Sequence, residues 1–189
     1  LMGAPGFDYP NPMIDEGKVY GMQGGQSAGN TLVCTVRQGS CNVGEIGVVK
    51  MSARFDAHAE LMNQSNYNYI VCCEDSSGNN NLTNSSGTAV VDLSYQTDAH
   101  VEIPGWTDYP YSAYLGADVD NVNCSYDYVS GSCNNNKTCL FTMSGSTDAH
   151  MADCFTDPYN LTACCELEGA QQPVVNITIE GCRNLDYQI

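Results

Sequence analysis

The chain has 189 residues, with 6 Lys and Arg against 22 Asp and Glu and a net charge of −16. That balance argues against nucleic acid and anionic membrane surfaces as partners, because both call for basic patches. No apolar run approaches the roughly 18–20 residues of a membrane span, so membrane insertion is not expected either.

Residues 1–30 are punctuated by Gly3, Gly6, Gly17, Gly21, Gly24, Gly25 and Gly29 with Pro5, Pro10 and Pro12, which breaks any helix. Met2, Phe7, Tyr9, Met13, Tyr20 and Met22 give this stretch apolar anchors without periodicity. It reads as an extended arm that becomes ordered on a neighbouring subunit. The opening at Leu1 without a basic n-region leads to the expectation of a processed or trimmed chain. From Thr31 the text becomes β: Thr31–Arg37 alternates, Gly44–Met51 is rich in β-branched residues, and Tyr67–Cys72 is predicted as the return strand. Residues 75–87 form a polar loop by composition, and Thr88–Ser94 is the next predicted strand. Val175, Ile177 and Ile179 alternate with polar neighbours in a C-terminal strand over 173–181, a competing donor for strand exchange. No convincing amphipathic helix is read anywhere.

One phrase occurs three times: Met51 to His58, Leu93 to His100 and Met143 to His150, each closing on Asp-Ala-His. Cys41 and Cys133 each lie ten residues before their phrase, and Cys72-Cys73 and Cys164-Cys165 each begin fourteen after its histidine. This is an internal duplication. The middle copy has no cysteine; Tyr114 and Leu115 stand in the register of the missing pair. Packing must hold it, with Trp106, Tyr109, Tyr111 and Tyr114 as the expected contributors.

Eleven cysteines place the chain in an oxidising compartment, and the absence of a Cys-x-x-Cys knuckle argues against a cysteine zinc site. Cys139 and Cys154 are both present in copy 3, while their copy 1 equivalents are Gly47 and Met62. Joint gain or loss marks a bonded pair. Adjacent cysteines face opposite sides of a strand, so Cys72 and Cys73 should reach separately to Cys34 and Cys41, and Cys164 and Cys165 to Cys124 and Cys133. The pairing within each set stays open. Cys182 is left over, either for an intersubunit link or as a free thiol.

Seven N-glycosylation sequons begin at Asn63, Asn81, Asn84, Asn123, Asn136, Asn160 and Asn176. Chance would give only about two or three, so N-linked glycans are expected. In the repeated phrase, Asp56 with His58, Asp98 with His100 and Asp148 with His150 could ligate zinc or copper. The preferred reading is structural, with acid and imidazole satisfying turn backbone and each other. No cofactor and no catalytic residues are expected: spacing marks no acid/base pair, and no nucleophile elbow, phosphate loop or dinucleotide fingerprint is present.

The combination of Leu-Ser-x-x-Thr-(Asn/Asp)-Ala-His with a Tyr-containing strand ending Val-Cys-Cys resembles cysteine-rich repeats of predicted secreted surface proteins from uncultured microbes. The matching stretches are 51–58 with 67–73, 93–100 and 139–165, within about residues 31–168. Asp replaces the usual Asn in all three phrases, and the opening Leu is Met twice. The resemblance implies location and architecture, not chemistry. Dense sequons, disulfides and an arm are also similar to subunits of glycan-coated, pilus-like extracellular fibrils.

The expectation is therefore an all-β protein with an extended arm at 1–30 and two Ig-like β-sandwich units, one of copies 1 and 2 at 31–118 and one of copy 3 plus the C-terminal strand at 119–189. It would be extracellular and would polymerise with itself into a filament. A monomeric or tethered surface adhesin with Trp106, Tyr109 and Tyr111 stacking on sugars is the alternative.

Overall fold

The computed structural model describes residues 31–134 and 137–169. Alternating apolar positions make the strands. In Leu32–Gln38 (β1), Leu32, Cys34 and Val36 are buried while Val33 is exposed, the period of a strand with one face on a core. Copy 1 continues with β2 (Ile46–Met51), β3 (Ala59–Glu60) and β4 (Tyr69–Asp75), in the sheet order β1-β4-β2-β3. Copy 2 supplies β5 (Leu82–Leu93), β6 (Val101–Glu102) and β7 (Tyr111–Ala117), ordered β6-β5-β7. Copy 3 supplies β8 (Asn121–Tyr128), β9 (Thr138–Met143), β10 (Met151–Ala152) and β11 (Leu161–Glu168), ordered β10-β9-β11-β8. All these pairings are antiparallel. The described residues form one compact unit. The three sheets share a core in which Val49 and Met51, Val91 and Leu93, and Phe141 and Met143 belong to one cluster.

The cysteine pattern follows from the pleat. Cys73 stands opposite Cys34 in the β1–β4 register and bonds to it. Cys72 points to the other face and takes Cys41. Copy 3 repeats this with Cys124–Cys165 and Cys133–Cys164, and Cys139–Cys154 is the fifth bridge. Among the described residues copy 2 has no counterpart of β1 or β8, the strands that carry Cys34 and Cys124. The cysteine and the strand that would hold it are missing together. In copy 1 the place of the fifth bridge is filled differently. A Cβ on Gly47 would lie 2.4 Å from Met62 Cε, so the methionine covers the bare glycine.

Two expectations need correction. The polar loop at 75–87 is a strand in its second half, because β5 begins at Leu82 and pairs Leu82 with Ala117 and Thr83 with Gly116. Trp106 does not help hold copy 2, since it is 59% exposed. The aliphatic side chains of Val90, Val91, Leu93, Val101 and Leu115 do that work, each with no exposed surface. The arm at 1–30, the strand at 173–181, Cys182 and the asparagines Asn136 and Asn176 lie outside the described residues.

Candidate metal centre

Each copy of the phrase folds into the same closed loop. The Ser52 N–H donates to the His58 carbonyl, and the His58 N–H donates back to Ser52 Oγ. Ser94 with His100 and Ser144 with His150 repeat the exchange. The serine is thus a loop clasp. The aspartates have φ of 49°, 50° and 48° at Asp56, Asp98 and Asp148. That left-handed conformation is one Asp tolerates better than most residues. The positive φ takes each aspartate out of the extended conformation that would hold Asp and His on one side of a strand, and each carboxylate bonds the histidine of another copy.

The alanines join the copies. Ala57 exchanges backbone hydrogen bonds with Met151, Ala99 with Ala59, and Ala149 with Val101. Copy 1 therefore touches copy 2, copy 2 touches copy 3, and copy 3 returns to copy 1. All three alanines are buried, at 0–1% exposure, where three backbones converge. A longer side chain has no room there.

This ring aims the histidines inward. Their ring centroids are 4.8, 4.9 and 5.0 Å apart, each pair edge to face. Every Nδ1 meets the aspartate of another copy: His58 with Asp98 and His150 with Asp56 at 2.5 Å, and His100 with Asp148. Acid and imidazole do satisfy each other, but across copies and not within one. Tyr67 donates to Asp98 and Tyr159 to Asp56, both at 2.8 Å. Hydrogen bonds from His150 and Tyr159 hold Asp56 below the usual carboxylate range, and those from His58 and Tyr67 do the same for Asp98. Burial, together with the bonds to these carboxylates, pushes the hydroxyls of Tyr67 and Tyr159 up to about 12. Both tyrosines stay neutral donors.

A layer beneath the ring carries residues that the sequence reading did not single out. Glu60 and Glu102 are completely buried. Glu60 accepts from the backbone of Asn66 and Tyr67 and from Thr97 of copy 2. Glu102 accepts from the backbone of Thr107 and Tyr109 and from Thr147 of copy 3. The signal was present in the text: the phrase runs two residues further, to Ala-Glu and Val-Glu, in copies 1 and 2.

The remaining candidate residues lie elsewhere. Asn63, Asn81, Asn123 and Asn160 are exposed. Asn84 is half-buried and its side-chain amide donates to the Gly47 carbonyl at 2.7 Å. Trp106 is exposed, and Tyr109 and Tyr111 are half-buried. A second grouping of ligand-type atoms, Cys41, Cys72 and Glu45, has its sulfurs tied up in a disulfide. Compared with known proteins, the chain matches no family, no curated protein and no solved structure.

Proposed function

We propose that this chain is the structural subunit of a glycosylated extracellular filament, assembled head to tail by a terminal arm or strand that completes a neighbouring subunit. The observation that carries the extracellular part is the coincidence of five disulfides with four exposed sequon asparagines on one β unit. Such bridges persist in oxidising compartments. Assembly is argued from the sequence of residues 1–30, whose apolar anchors without periodicity suit a segment that folds on a partner's sheet edge. A head-to-tail contact of that kind does not close on itself and grows filaments.

The test is negative-stain electron microscopy of unreduced protein from its native source, with a variant lacking residues 1–24 alongside. Regular filaments from the intact chain and folded monomers from the deletion are expected. Uniform single particles from the intact chain, or normal fibres from the deletion, refute the reading. One observation favours the adhesin alternative: Trp106 and Tyr95 are 59% and 69% exposed, and exposed aromatic faces can stack on sugar rings. Binding of unassembled protein to a glycan array, lost in Trp106→Ala, would put that reading first.

A further inference from the structure

We propose that His58, His100 and His150 form a three-imidazole site for a borderline divalent transition cation, with Zn²⁺ as the fitting occupant, which clasps the three copies at their common ring. The argument begins with protons. An ionised aspartate only accepts, so each Nδ1 bonded to one carries the hydrogen. A neutral imidazole with hydrogen on Nδ1 presents a bare lone pair on Nε2. The carboxylates of Asp98, Asp148 and Asp56 thus fix the tautomer and ring plane of His58, His100 and His150. Aspartate behind a histidine is the support that zinc-binding imidazoles ordinarily have.

The second step is distance. Nε2 of His100 and Nε2 of His150 are 3.3 Å apart, and one ligand nitrogen from each of the three rings lies within 4.8 Å of the others. Two lone pairs at that separation repel unless a cation sits between them. A proton bridges one pair of rings and leaves the third nitrogen out; a metal ion serves all three. Zn–N bonds of about 2.0–2.1 Å in a tetrahedron place neighbouring nitrogens about 3.3–3.4 Å apart. An octahedral face with the same bond length would bring them to about 2.8–3.0 Å. The 3.3 Å between the His100 and His150 nitrogens matches the tetrahedral value, and the third ring's nitrogen lies within 4.8 Å of both. The histidine side chains keep 29–36% of their surface exposed, which leaves the fourth position to water.

Every ligand and every supporting carboxylate comes from a different copy in rotation, so a bound ion ties copy 1 to copy 2, copy 2 to copy 3 and copy 3 to copy 1. The ring repeats, in metal–nitrogen bonds, the cycle already made by the alanine backbones. Tandem copies can each donate one ligand without any copy holding a complete site.

The experiment uses the full oxidised chain, stripped with chelator and titrated with Zn²⁺ in a large excess of Ca²⁺. Calcium occupies the many surface carboxylates but does not compete for imidazole. Native mass spectrometry should show one Zn²⁺ per chain, with a rise in melting temperature on loading. His100→Ala should weaken binding at least 100-fold, and Asp148→Asn, which keeps all three ligands, about 10–100-fold. Far-UV circular dichroism and an unchanged disulfide map confirm that the variants fold. Absence of stoichiometric zinc in the folded parent overturns the site. So does zinc binding that His100→Ala and Asp148→Asn leave unchanged, since the ion would then sit elsewhere on the acidic surface.

Discussion

Copy 1 should accept the bridge that copy 3 already has. Gly47 and Met62 occupy the positions of Cys139 and Cys154, which are 15 residues apart in sequence with Cα atoms 6.2 Å apart. Changing Gly47→Cys and Met62→Cys together would close a loop of the same length, worth about 3 kcal/mol in the chain-entropy model. Removing the half-buried Met62 side chain gives back about 1 kcal/mol of apolar burial. Replacing a strand glycine adds about 0.5 kcal/mol by restricting the unfolded chain. The net expectation is about 2.5 kcal/mol, or roughly 5–10 °C in melting temperature for a domain of this size. Gly47→Cys alone should destabilise, because its Cβ meets Met62 Cε at 2.4 Å and that side chain must swing away. Thiol titration with differential scanning calorimetry measures both. Two free thiols in the double variant would show that copies 1 and 3 do not share backbone geometry here, and the substitution argument would fail.

Glu102→Gln should cost about 1–3 kcal/mol at neutral pH, because bonds to Glu102 from Thr107, Tyr109 and Thr147 lose their charge assistance. Burial alone would raise this carboxyl, but those donors outweigh it and hold its folded value below the ordinary one. Its stabilisation is therefore complete above the unfolded value, about 4.3, and disappears as pH falls through the folded value. Melting temperatures of parent and variant should converge on acidification, and parallel curves would refute the assignment. Cys139→Ser with Cys154→Ser should cost about 3 kcal/mol in urea unfolding and leave the other four bridges intact by peptide mapping. Glycopeptide mass spectrometry should find glycan on Asn63 and Asn160 but not on Asn84, whose amide nitrogen is held by the Gly47 carbonyl; an occupied Asn84 would contradict that bond.

Much of the architecture was legible because duplication acts as a control experiment within one chain. Paired presence and absence identified Cys139 with Cys154, and strand alternation sent Cys72 and Cys73 to different partners. The choice between partners depended on register, which brings Cys34 opposite Cys73, and spacing alone does not encode register. Trp106 was misplaced for a related reason: aromatic character signals burial only on average, and this side chain sits in an exposed turn. The histidine cluster was read as three separate Asp–His pairs. Nothing in a linear phrase states that a positive φ at each aspartate hands its carboxylate to another copy. The ring is a tertiary property of three local motifs.

The departures from the phrase make sense only around that ring. Thr97 of copy 2 bonds Glu60 of copy 1, and Thr147 of copy 3 bonds Glu102 of copy 2. The third contact, between copy 1 and copy 3, would need a threonine at 55 and a glutamate at 152, and the chain has Phe55 and Ala152. Both halves of that one interaction are gone, while the other two contacts keep both halves. In its place Arg54 pairs with the buried Asp153 at 2.8 Å, and Phe55 packs on Tyr159 with ring centroids 5.1 Å apart. The backbone underneath is unchanged: Asp153 N–H donates to the Arg54 carbonyl as Leu61 does to Gln96 and Ile103 to Ser146. Residues 55 and 152 are far apart in sequence and would look like unrelated lapses in a degenerate repeat. They are the two sides of a single closing contact, whose side-chain chemistry was exchanged as a set while the ring's geometry was kept.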